Sequence, residues 1–186
     1  MSSIRVHLFV GLLTMAWIAA GPAASESGLK VSDRAPAFVL KSLDGENIWR
    51  SKKIFSGHPF TVLIFWDSYC LDCLKAVAAC QKVYEQADSL GIELVSINFD
   101  DENLSDVRAF IKGEKIRFLV LSDRRKLVAK RYKAVEYDFS LFIVNCEGII
   151  QHVCYDHPPE PVLHILKQLR ILLKEKAKSP TKGKED

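Results

Sequence analysis

The sequence predicts an α/β fold: a central mixed β-sheet with helices on both faces and an N-terminal β-hairpin extension. Three observations carry this expectation. Continuous apolar runs of strand length recur at FTVLIFW (60–66), IELVSINF (92–99) and IRFLVLS (116–122). Runs of that kind suit strands buried on both faces. Segments of helical period separate them, and alternating units of this kind imply a largely parallel sheet. The pairs Asp44-Gly45 and Glu147-Gly148 mark hairpin turns near either end.

Element by element, residues 25–34 are a loose lead-in and APAFVL (35–40) is a short strand. ENIW returns as its partner after the Asp44-Gly45 turn, and SKKIFSGHP reads as a connection. After Cys70 the pattern becomes helical. Cys73, Val77, Cys80, Tyr84 and Ala87 recur at spacings of three and four, and Gly91 stops the helix. Asp100, Asp101 and Asn103 offer helix-start chemistry before LSDVRAFIK. Ser122 or Asp123 can cap a short helix in RRKLVAKRYK. SLFIVN and IIQHVCY form the closing hairpin. PPEPVLHILKQLRILL ends the order as an amphipathic helix, with prolines at its start, where they are tolerated.

The 186 residues are 48% hydrophobic and 26% charged, which fits one globular domain with short extensions. Residues 25–173 carry 20 basic and 20 acidic side chains. A neutral body argues against a nucleic-acid partner. MSSIRVH, the uncharged LFVGLLTMAWIAAG and the small residues of PAASES follow the three-part plan of a secretory signal peptide over residues 1–24. The apolar stretch is short of the roughly 20 residues of a membrane span. Cleavage near Ala24 or Ser25 is therefore expected rather than a retained anchor. That places the domain outside the cytoplasm, in an oxidising compartment where cysteines pair. Residues 174–186 read as a disordered basic tail.

Cys70 falls at a strand-to-helix junction, where free amides and the helix dipole stabilise a thiolate. Cys73, one turn on, lies about 5–6 Å away at Cβ, near disulfide reach. The pair can be redox-active, half of a zinc site, or two inert thiols. Zinc needs two more ligands, and Cys80 lies about 10 Å further along the helix, so it reads as a buried hydrophobe. A two-residue Glu147-Gly148 turn puts Cys146 opposite Ile149 and Cys154 opposite Leu141. The two cysteines are then roughly 16 Å apart and stay unpaired with each other. No two of the histidines 58, 152, 157 and 164 sit at metal-ligand spacing, and structural or solvated roles are expected for them. No cofactor or metal is expected.

APAFVLKSLDGENI, LIFWDSYCLDC and FIVNCEGII together resemble exported thioredoxin-like proteins of the TlpA/ResA type. The resemblance covers residues 33–173 and implies a thioredoxin-like domain there. It implies a monomeric thiol–disulfide oxidoreductase with Cys70 as nucleophile and Cys73 as resolving thiol. Trp66 would lie beside the pair. Protein thiols or disulfides would be the substrates, and a membrane thiol donor would supply electrons, as in cytochrome c biogenesis. Asp100 or Asp101 matches an acid that some relatives place near the buried cysteine. N-capping of the next helix is the plainer use of either one.

Two departures stand out. Relatives usually carry proline after the first cysteine, where this chain has Leu71 and Asp72. The Asp72 charge should raise the Cys70 pKa and lean the pair toward a reductant. The family's cis-proline falls on Phe139. A cis bond without proline costs about 3–4 kcal/mol, so a trans peptide is expected there. That change leaves room for a non-catalytic partner-binding module or for a soft-metal (copper) handling protein. A peroxidase is disfavoured because the residue three before Cys70 is Asp67, not the threonine peroxiredoxins use.

Overall fold

The computed structural model describes residues 28–178, apart from 102, 103 and 157. The expected leader, Asn103, His157 and residues 179–186 lie outside the described residues. Seven strands form one sheet: β1 Val39–Ser42, β2 Ile48–Arg50, β3 Phe60–Trp66, β4 Ile92–Asn98, β5 Leu119–Ser122, β6 Phe139–Asn145 and β7 Ile150–Tyr155. Their order is β2-β1-β5-β4-β3-β6-β7. The helices are α1 Ser51–Ser56, α2 Leu71–Tyr84, α3 Ala87–Leu90, α4 Ser105–Gly113, α5 Leu127–Arg131 and α6 Pro161–Lys178.

Only β3, β4 and β5 run parallel, and β1, β6 and β7 each join by antiparallel pairing. The sheet is therefore mixed, as expected, with only its three central strands parallel. The helical crossovers account for the parallel centre, and the two hairpins add the antiparallel wings.

Every residue of β3 is buried, and its side chains alternate between two cores. Val62, Ile64 and Trp66 share one with Cys73, Val77 and Cys80 of α2, with Phe139 of β6 and with Ile165 and Leu169 of α6. Leu63 and Phe65 share the other with Ile54 and Phe55 of α1, Val128 and Ala129 of α5, and Tyr132. Each fully buried Leu, Ile or Phe side chain contributes about 1.5–3 kcal/mol, so β3 is the spine from which the functional end projects.

Four sequence expectations need correction. The connection before β3 contains α1, whose buried pair Ile54 and Phe55 is too short to show a period. The helix after Cys70 breaks before Gly91. The Gln86 side chain donates to the Lys82 carbonyl at 3.0 Å, and the Gln86 N–H turns to Val83 instead. Gly91 then ends α3, not α2, in the left-handed conformation at φ 64°. Neither Asp100 nor Asp101 caps α4, which starts without a side-chain cap.

The fourth correction concerns the closing turn. The Asn145 carboxamide oxygen accepts the N–H groups of Glu147 and Ile149 at 3.1 and 2.9 Å. The loop therefore holds three residues rather than two, and Ile149 faces Asn145 instead of Cys146. A bulge at Gln151 restores the register, so Leu141 still faces Cys154. Cys146 and Cys154 are both free thiols. At the other end α6 continues through Lys178, five residues past the expected domain boundary at 173.

Candidate active site

β3 ends at Trp66, and the chain needs only Asp67, Ser68 and Tyr69 to reach Cys70 at the start of α2. Two carboxylates hold this short loop. Asp100, buried, accepts the Ser68 N–H at 3.0 Å. Asp67, half-buried, accepts the Tyr69 N–H at 3.1 Å, and the Cys70 amide lies near enough to favour its charged form. Asp100 is itself fixed by Asn98, whose Nδ2 donates to Asp100 Oδ2 at 3.2 Å and to the Trp66 carbonyl at 3.4 Å.

Cys70 occupies the N-cap position of α2 with extended backbone, and its sulfur accepts the Cys73 N–H at 3.1 Å. Sulfur thus takes the place usually filled by a serine or aspartate oxygen. Cys70 and Cys73 are joined as a disulfide, with Cα atoms 5.2 Å apart. Cys70 is half-buried while Cys73 is wholly buried. Only the first sulfur is open to an approaching partner. Tyr69 and Leu71 flank it and are 71% and 72% exposed.

Asp72 is exposed and paired with Lys75 at 2.8 Å, which offsets part of its charge toward Cys70. Trp66 lies fully buried in the same cluster as Cys73, its ring tilted against Phe110 with centroids 5.6 Å apart. Phe139 is also fully buried in that cluster and faces Trp66 across the β3–β6 ladder. No peptide bond among the described residues is cis, as the absence of proline at 139 predicts. Burial pushes the Cys80 thiol up to about 12, so it stays protonated and unreactive near neutrality. Asp101, the other sequence candidate, turns outward to Lys126 at 3.3 Å.

A family model described as AhpC/TSA family matches residues 31–153. The chain belongs to the AhpC/TSA family. Sporulation thiol-disulfide oxidoreductase A of Bacillus subtilis (strain 168) is 28% identical over 146 residues, covering 77% of this chain and 86% of that protein. Chloroplastic peroxiredoxin Q of Suaeda salsa is 30% identical over 151 residues, covering 77% of this chain and 68% of that protein. The thioredoxin domain of a thiol-disulfide oxidoreductase from Bacteroides vulgatus superposes with a TM-score of 0.62 at 20% identity, covering 76% of this chain and 99% of that one. The thioredoxin-like fold and the resemblance to the TlpA/ResA type read from the sequence both hold.

The sequence leaves four polar side chains of the fold unplaced. Asn98 is a fully buried amide inside an apolar strand, a signal that was visible. Asp67 stands out in the sequence only as the position where peroxiredoxins carry threonine, which says nothing of the amide it holds. His152 and His164 meet across β7 and α6 with Nε2 atoms 2.8 Å apart, a contact that their twelve-residue separation hides. Among the described residues no group of three or more His, Cys, Asp or Glu side chains is placed to hold a metal ion.

Proposed function

We propose that the protein is an exported thiol–disulfide oxidoreductase that reduces protein disulfides. The carrying observation is the asymmetry of the pair: a half-buried Cys70 capping α2, flanked by exposed Tyr69 and Leu71, over a sealed Cys73. The Cys70 thiolate attacks a substrate disulfide, forming a mixed disulfide and releasing one substrate thiolate. The Cys73 thiolate attacks the Cys70 sulfur, releasing the second thiol and closing the Cys70–Cys73 bond. Two electrons pass to the substrate, and a membrane thiol donor restores the dithiol. The leader sequence supports export, and N-terminal sequencing of the mature chain tests cleavage near Ala24.

The decisive experiment is equilibration in glutathione buffers of graded poise. A Cys70–Cys73 bond that forms and breaks within that range is expected; a pair that never cycles overturns the reading. Cys73→Ser should then trap a protein partner on Cys70 as a mixed disulfide.

The identity to peroxiredoxin Q favours peroxide reduction as a second reading. Asp67 opposes it. An ionised carboxylate only accepts hydrogen bonds, and it offers no donor to a peroxide oxygen beside the sulfur. Hydrogen peroxide consumption with a thiol reductant separates the two readings.

A further inference from the structure

We propose that Asp67 is a positioning residue for Cys70 that sets the direction of exchange: its carboxylate opposes the Cys70 thiolate and keeps the pair an electron donor. This inference rests on the exchange reading above and deepens it. Asp67 is tied to the nucleophile's own backbone. Its carboxylate accepts the N–H of Tyr69 at 3.1 Å and lies close enough to the Cys70 backbone amide for that amide to favour its charged form. That bond and the three-residue loop between β3 and α2 hold the carboxylate beside the start of α2.

The surroundings supply little to neutralise it. The charged groups acting most strongly on Asp67 are Asp100, from the loop after β4, and Asp138, immediately before β6. On α2 the nearest charge in sequence is Asp72, already engaged by Lys75. Burial first, and then these two carboxylates, push the Asp67 carboxyl above the ordinary carboxylate range, while its amide bonds pull it back. A thiolate at Cys70 therefore forms against standing negative charge, with the α2 amides as its compensation.

Destabilising the thiolate destabilises the reduced form, so electrons leave it more readily. Below the Asp67 pKa the opposition disappears, and above it the opposition is complete.

Asp67→Asn tests this on the full-length protein, because the carboxamide oxygen still accepts the Tyr69 amide while the charge is gone. In the reduced variant, iodoacetamide modification of the Cys70 peptide at pH 7 should rise about threefold to tenfold. The equilibrium constant against glutathione should move toward the dithiol by a similar factor. Asp67→Ala should show the same shifts with an added loss of stability. If Asn leaves both readouts unchanged while Ala alters them, Asp67 is only a backbone peg and the inference falls. A wild-type pair that does not cycle overturns the exchange reading alone, and the alkylation ratio still judges Asp67.

Discussion

At the end of β5, Asp123 accepts the N–H groups of Leu127, Val128 and Ala129 at 3.1, 2.8 and 2.8 Å. At the end of β3, the Cys70 sulfur accepts the N–H of Cys73. Both are strand-to-helix junctions at the same edge of the parallel strands, linked through Asn98, whose carbonyl takes the Asp123 N–H. In one, a buried carboxylate satisfies three helix amides and nothing is left over. In the other, two carboxylates hold the loop and leave a helix amide to a reactive atom. The contrast teaches that the helix start has no inherent function. What fills its cap decides whether the amides are all spent on the fold or one is left to a disulfide sulfur.

The sharpest break in this comparison is Cys70→Ser. A hydroxyl caps a helix as well as sulfur does, so the fold should persist while exchange with a model protein disulfide drops to background. Next in size is Phe139→Ala, which removes the fully buried ring sharing a cluster with Cys73. Urea unfolding should show a loss of about 3–5 kcal/mol, and Cys73 of the reduced variant should become open to alkylation.

Asp123→Ala should cost about 1–3 kcal/mol and leave the glutathione equilibrium unchanged, since its amides belong to the other helix. A change in that equilibrium would show the two junctions to be coupled. Burial raises the Asp123 carboxyl above its usual range, outweighing its amide bonds. The folded state therefore holds that proton more tightly than the unfolded chain. Its contribution is complete below the unfolded carboxylate pKa and is lost as pH rises through the folded value. Asp123→Asn should accordingly gain stability relative to wild type between pH 4 and pH 7, read by urea titration at each. The smallest effect is an absence: in folded protein at pH 8, Cys80 should resist iodoacetamide while exposed Cys146 reacts, as mass spectrometry can show.

The sequence made much of this fold legible, because β3 to β5 are apolar runs whose burial leaves no choice of element. Cys70 and Cys73 were equally legible from the junction they straddle. Less legible were features set by side chains meeting across elements. Asp100 could cap a helix or turn inward; only β3 lying beside β4 decides that it takes the Ser68 amide. Gln86 breaks a helix by bonding a carbonyl one turn back, which no periodicity reveals. Asp67 gains its setting from Asp100 and Asp138, both distant in sequence.

The hairpin of β6 and β7 spends one surplus residue at its turn and withdraws it at Gln151. By the time the strands reach Phe139 and Ser140, the count is even again. Length changes at that tip are thus absorbed locally and need not propagate to the redox end. The tip itself is anchored elsewhere, by the Ala35 N–H on the Gly148 carbonyl and by the Cys146 N–H on the Pro59 carbonyl, to the chain ahead of β1 and β3.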